Sequence, residues 1–195
     1  MDLNPASPPM PALQDLTIGI RAQQLTSVII WCTGGGTLHH WRTSYSLADS
    51  SVINDLGERL AGISLDMYQP HDHGYKTADG PNLHGCLQIS PRTTRHGLYS
   101  TRSGVLEEIN FSSAVTVQDI VDLVTGQKRQ YYMFNPLGSG CLYWQLQLLR
   151  AFVSKGWIHS TDLSGVTESI GKYAKMYPDR VPFPPVEGQF YSPPQ

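Results

Sequence analysis

The chain has 195 residues, 40% of them hydrophobic and 15% charged, which fits one globular domain whose core can form without disulfide staples. A formal net charge of −2, with Lys and Arg scattered, supplies no basic patch for a polyanion, so nucleic acid is not an expected partner. The longest apolar run, near 27–31, falls far short of the ~18 residues a membrane-spanning helix needs, and MDLNPASPPMPALQ lacks the basic start and apolar core of a secretory signal.

Residues 1–13 carry four prolines and read as a loosely attached arm, ahead of a single α+β domain over 14–177 and a proline-rich tail over 178–195. Leu16, Ile18 and Ile20 alternate and predict a strand over 15–21; the apolar run 28–31 predicts a second. Gly34, Gly35 and Gly36 then break the chain. No helix opening with Lys-Ser/Thr follows, so this is a loop and not a phosphate-binding P-loop. The segment 38–47 predicts a strand with His40, Arg42, Ser44 and Ser46 on a polar face and His39, Trp41, Tyr45 and Leu47 on the other. After a polar connection over 48–60, residues 63–68 alternate again, which sets Asp66 inside a strand, uncommon for a carboxylate unless it is at an edge, paired or in use.

His71 and His73 fall among turn residues. Neither the Cys/His spacing of a zinc site nor a helical HExxH accompanies them, so no metal and no cofactor is expected. Further strands are predicted over 83–90 and 105–111, with Glu107 and Glu108 facing solvent. Thr116 caps a helix, Asp119 sits in its first turn, Val117, Ile120, Val121 and Val124 form its apolar face, and Gly126 ends it. A strand over 130–134 leads to Gly138, Ser139 and Gly140, and Cys141 heads a helix in which Leu142, Leu146, Leu149 and Val153 recur at helical spacing. A last helix is predicted over 162–176, and the tail after it is extended, wrapped on the body or disordered.

A cysteine in the first turn of a helix meets unpaired N–H groups and the positive end of the helix dipole; both favour a thiolate, and the same N–H groups can hold an oxyanion. The plainer reading is a glycine-rich turn opening a core helix, with Cys141 as a small buried hydrophobe. Cysteines at 32, 86 and 141 have no CxxC spacing and an odd one over, which suits a reducing, cytoplasmic compartment.

The motifs LHHW, SLDM and GSGCLYW, in that order, resemble the NHW, RLDM and GSGCRYW motifs of a small fungal protein family. The element order also resembles the circularly permuted papain-like thiol proteins, among them the lecithin:retinol acyltransferase-like and PPPDE-type families. In those, a His-Trp strand precedes the helix that the nucleophilic cysteine heads. The resemblance implies an antiparallel sheet or partial barrel packed on a long helix, with Cys141 as nucleophile, His40 as base and Asp66 as the orienting group, Gln88 and His39 being the alternatives for the last. One departure is that the acyltransferase-like families carry an Asn-Cys-Glu-His type motif where this chain has Ser139-Gly140-Cys141-Leu142-Tyr143.

The expected function is that of a thiol-dependent hydrolase or acyltransferase acting on a small-molecule amide, ester or thioester. Trp41, Arg42, Tyr68, Gly140 and Trp144 are expected to contact the substrate. The alternative is a non-covalent binding protein or a cyclase or pericyclase of fungal secondary metabolism that uses the same cleft. The oligomeric state is open on sequence alone.

Overall fold

The computed structural model describes residues 13, 16–34, 38–69, 76–77, 80–81, 83–137 and 139–192. The arm over 1–13, apart from Leu13, and the loop holding His71 and His73 lie outside the described residues. The element order is α1 (Ile18–Arg21), β1 (Gln24–Thr33), β2 (His40–Leu47), β3 (Leu60–Tyr68), β4 (Lys76–Thr77), β5 (Gly80–Pro81), β6 (Cys86–Thr93), β7 (Ser103–Thr116), α2 (Val117–Gly126), β8 (Tyr132–Met133), α3 (Cys141–Ser154), α4 (Ser160–Met176) and β9 (Gln189–Phe190). It is a mixed α/β fold around an open five-stranded sheet, ordered β6-β3-β2-β1-β7 and antiparallel throughout, not a closed barrel.

The strands form where β-branched and aromatic residues alternate with small polar ones. Val28, Ile30 and Cys32 of β1 lie beside Tyr45, Thr43 and Trp41 of β2, and Ile63 and Leu65 of β3 continue this face. It is the buried face, and α3 meets it through Gln145, bonded to Thr43, and Phe152, edge-on to Tyr45, whereas Leu142, Leu146 and Leu149, expected from their spacing as the apolar stripe, are buried elsewhere in the same core. The apolar side chains of α2 and α4 join the same core. The opposite face carries Arg42, Asp66 and Gln88 in one row and Ser44, Ser64 and Ser90 in the next, as the antiparallel register of β2, β3 and β6 requires.

The segment between β6 and β7 determines what covers that polar face. These strands are opposite edges of the sheet, so residues 94–102 must cross three strands, on the order of 20 Å at ~4.8 Å per strand. Ser44 Oγ donates to the Leu98 carbonyl (2.6 Å) and ties the crossing chain down midway. Gly62 sits beneath it: a Cβ there would collide with the Tyr45 carbonyl oxygen of β2 and lie 2.7 Å from Leu98 Cδ2.

Two expectations are corrected. Residues 18–21 are a helical turn rather than strand: Thr17 Oγ1 accepts from Ile20 N–H (3.3 Å), Leu16 and Ile20 are buried four residues apart, and Ile18 is 88% exposed. The strand expected over 130–134 shortens to two residues paired with β9, so the tail is held by main-chain bonds and is not loose up to Ser192. The Thr116–Asp119 capping box at α2 matches the sequence reading.

Candidate active site

The turn into α3 is built by three side-chain devices. Asn135 Oδ1 accepts from the N–H groups of Leu137 (3.1 Å) and Ser139 (2.8 Å), and its own N–H donates to the Ser139 carbonyl (3.0 Å), which closes the loop on itself. Gly140, the N-cap residue, has φ 139°, and a Cβ there would stand 2.7 Å from Tyr132 Oη, so only glycine fits. The buried Tyr132 hydroxyl donates to the Gly140 carbonyl (2.9 Å) and accepts from Gly188 N–H (3.0 Å), joining the turn to the tail. No side chain caps α3, so the N–H groups of its first turn remain available for a negative oxygen.

Gln145 fixes the helix against the sheet. It is fully buried; its Oε1 accepts from Thr43 Oγ1 (3.0 Å) and its Nε2 points at the carbonyls of Trp41 (3.5 Å) and Leu65 (3.4 Å). One turn earlier on the same helix face, Cys141 is thereby brought to the start of β2, with Sγ 4.0 Å from the His39 carbonyl. Cys141 is 8% exposed and lines a cavity.

His40 opens β2, and its Nε2 lies 2.5 Å from Asp66 Oδ1 on β3. The other carboxylate oxygen accepts from Arg42 Nε, also at 2.5 Å. Asp66 therefore holds the imidazole by one nitrogen and leaves Nδ1 as the nitrogen available to the thiol. Burial alone would lower the pKa of His40, but the hydrogen bonds to Asp66 and Cys141, together with their charges, outweigh it and raise it to about 9. Burial would raise the Asp66 carboxyl; the hydrogen bond and charge of His40 and those of Arg42 prevail, so it lies below its usual value and is ionised at neutral pH. Cys141 lines the same cavity as this imidazole, and its Sγ contact to the His39 carbonyl is long (4.0 Å).

The cavity has a volume of about 770 Å³, within the range of small-molecule sites. The strand ends and the α3 turn form its floor, and Arg180, Pro182 and Val186 of the tail form one wall. Of the expected contact residues, Trp41, Arg42 and Tyr68 line it; Gly140 and Trp144 do not. Trp144 is fully buried, with Nε1 donating to the Arg129 carbonyl (2.9 Å): one residue past the cysteine's own face, its indole turns toward the segment before β8. Gly140 serves the site through its backbone. The alternatives for the orienting group separate as well. Gln88 lines the cavity opposite Asp66 in the β3–β6 register, whereas the His39 ring turns to Cys32 Sγ (Nδ1 3.9 Å) and the Tyr173 hydroxyl (3.2 Å).

A family model for a domain of unknown function, DUF7770, matches residues 33–191. The chain belongs to the DUF7770 family. No curated protein and no solved structure shows significant similarity to it. The DUF7770 match runs from the end of β1 to just beyond β9, so His40, Asp66, Gln145 and Cys141 all lie within the family domain. Among the described residues of this DUF7770 chain, no group of three or more His, Cys, Asp or Glu side chains could hold a metal, and no helix is long and apolar enough to cross a membrane.

Sequence reasoning missed Gln145, Tyr132 and Asn135. Each had a signal: a glutamine within an apolar helix face, a tyrosine eight residues before a strained glycine, and an Asn-Pro turn.

Proposed function

We propose that the chain is a thiol-dependent hydrolase or acyltransferase acting on a small-molecule ester, amide or thioester. The observation that carries this reading is the 2.5 Å contact between His40 Nε2 and Asp66 Oδ1, in a cavity that Cys141 also lines. The thiol proton has already passed to His40, which is protonated at neutral pH, and Cys141 Sγ attacks the carbonyl carbon as the thiolate. The tetrahedral oxygen is stabilised by the Cys141 N–H at the uncapped helix start. Collapse expels the alcohol, amine or thiol, which takes the proton from His40 and leaves a thioester on Cys141. Water or another nucleophile then gives its proton to His40, attacks the thioester and regenerates the thiol. Asp66 stays ionised throughout and stabilises the imidazolium.

The order of a His strand, an acid strand and a later Cys-headed helix supports reading the fold as permuted papain-like, similar to the lecithin:retinol acyltransferase-like and PPPDE-type proteins. The low exposure of Cys141 favours one competing reading, in which the cavity binds or shapes a small molecule without covalent chemistry. Intact-protein mass spectrometry after incubation with p-nitrophenyl acetate separates the two. The enzyme reading expects an acetyl group that maps to Cys141 and disappears in Cys141→Ala; acylation that is absent, or that persists in that variant, supports the competing one.

A further inference from the structure

A second cavity of about 560 Å³ lies on the polar face of the sheet under the crossing segment 94–102. It shares Thr33, Arg42, Asp66 and Gln88 with the first, so the two adjoin at the Arg42–Asp66 pair. Its lining is largely polar: Ser64 and Ser90 are hydrogen-bonded to each other (3.2 Å), and Arg92 stands beyond them.

The charges in this groove do not balance. Asp66 is its only acid, and that single carboxylate already serves both Arg42 and His40. Among the described residues Arg92 donates only from Nε, to the Gly97 carbonyl (3.0 Å), and forms no ion pair. Burial, and then the like charge of Arg42, make its protonated form less favourable than usual. The Nε bond to Gly97 orients the guanidinium and leaves its terminal N–H groups for a ligand. A half-buried guanidinium beside another cation, with hydroxyls around it, provides the fork geometry and charge that a carboxylate or phosphate satisfies.

We propose that the groove between Arg42 and Arg92 binds an oxyanion of the substrate, a carboxylate or a phosphate, so that the acyl compound turned over at Cys141 carries an anionic group beyond its scissile carbonyl. The substrate-class part rests on the thiol-enzyme reading above; the anion site itself does not. The shared Arg42–Asp66 pair places the anion beside the catalytic histidine, so one molecule can occupy both spaces.

Two measurements test it. In the first, ¹⁵N-labelled Cys141→Ser protein is titrated with glutarate and, separately, with inorganic phosphate, and the side-chain Nε–H signal of Arg92 is followed. Saturable shifts at millimolar concentration are expected there and at the Arg42 Nε–H, the Arg42 shift being lost in Arg92→Gln and both retained in a surface control, Arg150→Gln. Whichever anion binds more tightly identifies the group, and the absence of a shift with both overturns the site. In the second, kcat/KM is compared between the p-nitrophenyl esters of glutaric acid and its neutral methyl ester analogue, and between thioesters with and without a terminal phosphate. The anionic member of one pair is expected to be favoured about ten- to a hundredfold, with the ratio collapsing toward unity in Arg92→Gln and Arg92→Lys. A ratio near unity in the wild type for both pairs overturns the substrate class. Anion binding without any Cys141-dependent turnover sinks the thiol-enzyme reading and leaves the anion site standing.

Discussion

His39 and His40 are neighbours in the chain, and each stands beside a cysteine. His40 shares a cavity with Cys141 and is held by Asp66, which helps lift its pKa to about 9. His39 lies next to a fully buried Cys32, hydrogen-bonds the Tyr173 hydroxyl, and has a buried Nε2 with no partner among the described residues. Burial and then the charge of Arg180 lower its pKa. The two pairs are alike in sequence and opposite in electrostatics. A cysteine near a histidine is therefore not what makes the candidate site; a carboxylate on the adjacent strand, open to a cavity, is. Strand alternation turns one ring toward that carboxylate and the other away from it.

The strongest way to break the contrast is to take the carboxylate away. Asp66→Asn leaves the His40 imidazole without its counter-charge, and kcat/KM toward an activated ester should fall by ~10²–10⁴, measured at constant pH with folding checked by circular dichroism. A variant of near wild-type activity would make Asp66 a mere partner of Arg42.

Next in size is the dependence of stability on pH, where the two histidines act with opposite sign. His40 titrates near 6.5 unfolded and about 9 folded, so its contribution is fully present below pH 6.5 and is lost as pH rises through about 9, on the order of 3 kcal/mol. The folded pKa of His39 is lowered, so the unfolded chain binds its proton first and stability is lost as pH falls below 6.5. In urea denaturation, His40→Gln should flatten the alkaline limb and His39→Gln the acid limb. The same limb changing in both variants would refute the assignment.

A mutation on the far side of the site sharpens the comparison further. Gln145→Leu removes the buried bonds to the Thr43 hydroxyl and the Trp41 and Leu65 carbonyls, leaving the Thr43 hydroxyl only its Tyr45 partner among the described residues, and should cost ~1–3 kcal/mol by denaturant titration. Because Gln145 sets the height of Cys141 over the sheet, acyl transfer should fall with it. The smallest effect belongs to the other pair: Cys32→Ala removes a buried sulfur for ~1 kcal/mol and should leave acylation of Cys141 unaltered.

Much of this arrangement was legible in the sequence because it rests on local rules. Period-two alternation set Asp66 and His40 on the polar side of their strands, and the glycines before Cys141 marked a helix start. What escaped was non-local. That Asp66 serves Arg42 and His40 together depends on the β2–β3 register, which a thirteen-residue polar connection (48–60) does not specify. The role of Tyr132 requires a tail residue, Gly188, to arrive from 56 positions away. The helical turn at 18–21 was misread because Leu16 and Ile20 fit both periods while Ile18 fits only the strand, and Thr17, as a cap, is the helical signal.

The central claim is that Cys141 is an activated thiol set apart from the other cysteines by His40. It is tested most directly by following iodoacetamide alkylation of each cysteine in the native protein at pH 6 to 7, using peptide mass spectrometry. The account predicts that Cys141 is modified well ahead of Cys86 and Cys32, faster than an ordinary thiol, and that His40→Ala abolishes the advantage. Alkylation of Cys141 no faster than a free thiol of ordinary pKa, or unchanged in His40→Ala, would contradict it.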